Sequence, residues 1–113
     1  MLDMIDEKLD FALAGLLGWV NWWDGVRLIW VDGATKEFRR KVTDWQPSSD
    51  PVASLEVQAK AGKIDREIYV HNLQIVKWGK IFPKISGKVA FDLINASPRE
   101  RAEAAYMTLS SQD

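Results

Sequence analysis

The sequence has no cysteine, one histidine and only four prolines. Without cysteine there is no disulfide framework, no thiolate metal site and no thiol nucleophile. A single histidine cannot build a multi-histidine metal centre. An excess of one charge sign is also missing. Fifteen Lys and Arg stand against sixteen Asp and Glu, a net charge of −1. That gives no overall pull toward nucleic acid or an anionic membrane. The longest apolar run, residues 11–20, is far short of the roughly 20 residues of a spanning helix. The stretch before it carries Asp3, Asp6, Glu7 and Asp10 against Lys8, where a secretory leader needs positive charge. A cytoplasmic setting is the simplest expectation. There is no Gly-x-Ser-x-Gly, no phosphate-binding Gly-rich loop and no His-Glu-x-x-His.

What the chain does have is tryptophan, six in 113 residues, within a composition that is 47% hydrophobic. This suffices for one core and one domain, residues 1–113. No internal repeat or long linker divides it.

Ile5, Leu9, Leu13, Leu16 and Val20 recur at helical spacing, with Gly18 as a stop. A hairpin follows, with Val26–Val31 and Glu37–Val42 as strands around Asp32-Gly33. Val26, Leu28 and Trp30 are expected on its inner face. Asp50 as N-cap and Pro51 at the first helical position open a short helix. Val52, Leu55 and Ala59 should line its buried face, and Gly62 should end it. The segments Arg66–Val70, Leu73–Val76, Trp78–Ile85 and Lys88–Ile94 read as strands. Ser97-Pro98-Arg99-Glu100 is a capping box that starts the last helix, with Ala102, Ala105, Tyr106 and Leu109 on one face. The order is α-β-β-α-β-β(-β)-α. It predicts an α+β layered sandwich: a mainly antiparallel sheet of four to five strands with helices packed on it.

An acidic first helix, Gly18-Trp19, Trp22-Trp23, Trp45-x-Pro47-Ser48-x-Asp50 and Ser97 to Ala105 occur in that order. This arrangement resembles the phage ABA sandwich domain, a family of small bacteriophage and prophage proteins. The resemblance runs roughly from Ile5 to Leu109. The chain departs from the family between Lys63 and Ile94, and it lacks the cysteine often found in the last helix. The resemblance implies a phage origin and an α/β sandwich; with a phage origin, the cytoplasm expected above is that of the host cell. It implies no reaction and assigns no site residues.

Candidate chemistry is thin. His71 would need a carboxylate and a nucleophile beside it to act as a base, and a surface or turn histidine is the plainer reading. Asp3, Asp6, Glu7 and Asp10 could form a carboxylate patch, but acids in a first helical turn are ordinarily a solvated face favoured by the dipole. No catalytic residue, metal ligand or cofactor is expected. Basic residues gather at Arg39-Arg40-Lys41 and along Lys60–Lys88, interleaved with Tyr69, Trp78 and Phe82. Such a surface can hold phosphates and stack a base; it can equally protect strand edges. Six tryptophans exceed what so small a core encloses, so the surplus should meet a partner or a ligand. The candidate ligand-binding set is Trp22, Trp23, Arg39, Arg40, Tyr69, Trp78 and Lys80, with Trp45 structural.

These residues point to a non-enzymatic binding protein. In the phage setting it would counter host defence, by sequestering a nucleotide-like signal or by binding a host defence protein. The alternative is an assembly module acting as a homo-oligomer without a small ligand. Membrane association is not expected, and nucleic acid is disfavoured by the charge.

Overall fold

A computed structural model describes residues 3–112. Helix α1 spans Asp6–Leu16, with Asp6 and Glu7 in its first turn, where the helix dipole favours negative charge. Leu9, Leu13 and Ala14 are buried, whereas Ile5 and Leu16 are exposed. Three strands follow: β1 Trp19–Trp23, β2 Leu28–Asp32 and β3 Phe38–Lys41. They form one antiparallel sheet in the order β1-β2-β3. The strand β1 has no counterpart in the sequence reading, which continues the helical spacing to Val20 and begins the hairpin at Val26; Val20 lies in β1 instead. Of the expected inner face, only Trp30 is buried; Val26 and Leu28 are exposed.

The approach of β1 to β2 requires glycine at position 33. A Cβ there would lie 2.8 Å from the Gly18 carbonyl oxygen, which accepts the Gly33 N–H. Asp32 closes the β2–β3 turn. Its carboxylate accepts the Ala34 and Thr35 amides at 2.9 and 2.8 Å and the Arg39 guanidinium at 3.1 Å. Arg39 is the extra residue of a bulge, because Phe38 pairs with Val31 and Arg40 with Trp30.

After one 3-10 turn, Val42–Asp44, the rest of the chain is helical: α2 Pro51–Trp78, α3 Gly87–Ile94 and α4 Pro98–Ser110. The expected sheet of four to five strands is therefore wrong, and so is the layered sandwich. The class is α+β, with a three-stranded sheet at one end of a helical assembly. Every segment expected as a strand between Arg66 and Ile94 lies in α2, in α3 or in the irregular stretch between them. The physical reason is visible in the burial. Tyr69, Leu73 and Val76 are buried at spacings of four and three, a helical face. The β-branched residues among them match strand propensity locally, but packing decides.

Gly62 does not end α2; the helix runs through it. The break comes three residues later, at Asp65, whose backbone is extended (φ −161°, ψ 99°). The Asp65 carboxylate accepts the Ile68 amide at 3.0 Å, so it caps a second helical arm. The two arms double back on each other. The Tyr69 hydroxyl donates to Gln58 Oε1 at 2.8 Å, although a straight helix would set those residues about 16 Å apart. The second arm ends at Gly79, in the left-handed conformation (φ 73°), with its N–H on Ile75 O.

Helix α4 lies against both arms. Arg101 donates to Ser54 on the first arm at 3.0 Å. On the second arm, Asn72 donates to Thr108 at 3.0 Å, and Lys77 pairs with Glu100 at 3.1 Å. Ala102, Ala104 and Ala105 are fully buried, so α4 approaches its neighbours closely. The predicted capping box of Ser97 and Glu100 forms. Arg99 ties this end to α1, reaching Asp6 Oδ1 and Met4 O, both at 2.8 Å. The buried face of the first arm is Ala53, Ser54, Val57 and Ala61; the expected Val52, Leu55 and Ala59 are exposed.

Two outcomes follow. Asp65→Ala should cost about 1 kcal/mol in urea unfolding and Asp65→Gly less, because glycine at an N-cap leaves the first helical amides open to water where an alanine methyl does not; equal stability of all three proteins would remove Asp65 as the cap. The Thr35 amide, then the Arg39 guanidinium and the Ala34 amide, hold the Asp32 carboxyl far below its usual 3.8. A depressed carboxyl contributes stability above its unfolded pKa and loses it as pH falls. The stability advantage of the wild type over Asp32→Asn should therefore shrink as pH drops below 3.8, read from denaturation curves at each pH.

Candidate functional site

The six tryptophans separate into core and surface. Trp30 and Trp45 are buried. Trp30 lies edge-on to Phe11 of α1, with ring centres 4.9 Å apart. Trp45 is 4.7 Å from Trp19, and its indole N–H donates to Glu56 Oε1 at 3.0 Å. The other oxygen of Glu56 takes Arg40 at 3.2 Å. Glu56 thus clamps the sheet to α2 through Trp45 and Arg40. The Arg40 guanidinium also stands 5.9 Å from the Trp19 ring. Trp45 is a core side chain, in keeping with a structural role.

Trp22 and Trp23 face solvent, 48% and 60% exposed. The register places them on opposite faces. Trp22 pairs with Ile29, and Val20 with Val31, which in turn pairs with Phe38. These side chains form two rows on the sheet face opposite Trp30: Val20–Val31–Phe38 and Trp22–Ile29–Lys41. Ile29 and Val31, in the middle of these rows, are buried, whereas Val20, Trp22 and Phe38 around them are exposed, Phe38 by 56%. The Lys36 ammonium sits 5.8 Å from the Trp22 ring. Among the described residues no helix covers this face. The result is an apolar, solvent-facing platform with cations at its rim.

The remaining candidates lie elsewhere. Tyr69 is buried under the α2 hairpin; burial pushes its phenol pKa up, and Arg101 nearby pulls the other way. Trp78 is half-buried against Phe82, ring centres 5.3 Å apart in an edge contact. Lys80 rests 5.0 Å from the Phe82 ring. No ring contact, hydrogen bond or ion pair among the described residues joins Tyr69, Trp78 or Lys80 to Trp22, Trp23, Arg39 or Arg40. The candidate set therefore divides between the sheet and the helices. Lys77 and Lys88 of the basic stretch are neutralised by Glu100 and Asp92.

A second surface emerges only from the fold. Between the α2 arms and α3 runs a cavity of about 560 Å³. Leu55, Ala59, Val70, Leu73, Leu93 and Ile94 line it, with Arg66 and Arg101 at its sides. Neither arginine has a carboxylate partner among the described residues. The sequence carries no signal for it, because a strand over Arg66–Val70 would not bring Arg66 and Val70 beside Leu55 and Ala59; the reversal of α2 does. Another cavity, about 520 Å³, lies between α1, the sheet and residues 42–49. Its buried Asp10 is already committed: both oxygens accept from Ser48, at 2.8 and 3.0 Å, while burial raises its pKa.

His71 lies on the second arm of α2 and has no hydrogen-bond or ion-pair partner among the described residues. The same residues hold no group of three or more His, Asp or Glu placed to share a metal ion, and no helix is long and apolar enough to cross a membrane. Compared with family models, curated proteins and solved structures, the chain matches none.

The division of the tryptophans predicts unequal costs. Trp45→Ala should destabilise by about 3–5 kcal/mol, since it empties a core site and frees Glu56. Trp22→Ala should cost less than about 1 kcal/mol. Thermal unfolding of the two variants checks this; similar losses would mean that Trp22 is part of the core.

Proposed function

We propose that this is a non-enzymatic binding protein that works by occupancy, with the outer sheet face as its contact surface. The observation that carries this reading is the pair of apolar rows around Trp22 and Phe38, turned to solvent rather than to a helix. The surface is a platform, not a cleft, and a platform of this kind suits a protein partner better than a small molecule. Trp22, on its β1 side, has the size and amphipathic edge of an interface anchor. The phage setting rests on the motifs at Trp45–Asp50 and Ser97–Ala105 alone. In that setting the partner is a host defence protein.

The nucleotide version requires stacking and phosphate-holding groups to converge, and no contact among the described residues joins the sheet candidates to Tyr69, Trp78 or Lys80. The α2–α3 groove favours a different small ligand, one with an apolar body and an anionic group near Arg101 and Arg66.

Two measurements separate these readings. Affinity capture from host cells with wild type and with the double variant Trp22→Ser, Phe38→Ser should show a defence protein retained only by the wild type. Retention of the same proteins by both would overturn the platform reading. A thermal-shift panel should show no stabilisation by nucleotides. Stabilisation by an anionic amphiphile that disappears in Arg101→Met would establish the groove as a ligand site.

A further inference from the structure

The two edges of the sheet are built differently. At one edge, β3 carries Arg39, Arg40 and Lys41 and a bulge, the usual protection against pairing with another strand. At the other, β1 reads Trp-Val-Asn-Trp-Trp, with no charge, no proline and no bulge. A free edge of this composition is a template for another strand.

The register fixes which backbone groups it offers. The Gly33 N–H donates to Gly18 O, and the Asp24 N–H to Arg27 O. Hydrogen-bonded pairs alternate in an antiparallel ladder. Val20 and Trp22 therefore spend their N–H and C=O groups on β2, while those of Trp19, Asn21 and Trp23 point outward. These three positions are symmetric about Asn21. We propose that β1 pairs antiparallel with β1 of a second copy of this chain, with a two-fold axis passing through Asn21.

This register satisfies all three outward-facing residues at once. Asn21 pairs with the partner's Asn21, Trp19 with the partner's Trp23, and Trp23 with the partner's Trp19. Those pairs put two indoles side by side on the inner sheet face, where Trp23 alone is 60% exposed. On the outer face Trp22 comes beside the partner's Val20, so the two apolar platforms join into one across a six-stranded sheet. The interface is isologous, as a two-fold contact must be. The absence of charge on β1 removes the like-charge repulsion that a symmetric contact through β3 would meet.

The lack of cysteine makes the test clean. In a hydrogen-bonded antiparallel pair the Cα atoms are about 5.5 Å apart, inside the roughly 4.4–6.8 Å that a disulfide bridges. Asn21→Cys should oxidise to a covalent dimer about tenfold faster, or more, than Lys63→Cys on the α2 surface. Light scattering at tens of micromolar should give wild type twice the 12.9 kDa chain mass. Asn21→Pro deletes the N–H on the axis, one that β2 does not use, and should give a monomer with an unchanged far-ultraviolet spectrum. If that variant misfolds, Trp23→Lys supplies the same reading. A monomeric wild type overturns the proposal, as does a dimer that crosslinks no faster through Asn21→Cys than through Lys63→Cys. The two readings fail separately: a monomeric wild type that still retains its partner removes the strand pairing alone, and a dimer that retains no partner removes the platform alone.

Discussion

One extended residue, Asp65, sets the arrangement of the helical part. Its backbone leaves the helical region and its carboxylate restarts the helix at Ile68. Without that reversal a helix of 28 residues would extend about 42 Å and leave its apolar face bare. With it, the two arms enclose α4 between Ser54 on one side and Asn72 and Lys77 on the other. The alanines of α4 matter for the same reason. A helix flanked on several sides must carry small side chains where its neighbours come close, and Ala102, Ala104 and Ala105 are fully buried.

The sheet is attached to this assembly by its inner face. Trp30 meets Phe11, Trp19 meets Trp45, and Glu56 gathers Trp45 and Arg40. A three-stranded sheet has only two faces, and the helices occupy one. Its outer face is nonetheless built of Val20, Trp22, Ile29, Val31 and Phe38, where a solvated antiparallel face would normally alternate to polar residues. That departure from pattern is what distinguishes this molecule from a plain small globule. It also explains why the tryptophan excess did not all enter the core: two are buried, and two stand on the sheet around an open edge.

Much of the local structure was legible because it is encoded locally. The capping box at Ser97, the Asp50-Pro51 helix start and the Asp32-Gly33 turn each depend on residues within a few positions of one another. The helical nature of Arg66–Ile94 was not legible. Ile68, Val70, Ile75 and Val76 favour strands locally, and the helical spacing of Tyr69, Leu73 and Val76 gains meaning only when α4 is present to bury it. The strand β1 is not legible either, because its aromatic residues follow a glycine and precede a turn, with no alternation of polar and apolar. The candidate site was half legible: Trp22 and Trp23 could be singled out as surplus, but not the platform they help to form.

The sequence by itself determined composition, charge balance, the absence of thiol chemistry, the positions of caps and turns, and an α+β class. Tertiary structure alone decided the number of strands, the reversal at Asp65, the groove beside Arg101 and the partition of tryptophans. The physical reason is range. Capping and turn formation are satisfied by hydrogen bonds between near neighbours, whereas burial depends on which distant surface arrives to exclude water. Asp65 and Gly62 stand three residues apart, and both are residues that can stop a helix. Only the contacts of the two arms with each other and with α4 determined that the chain turns at the aspartate and passes straight through the glycine.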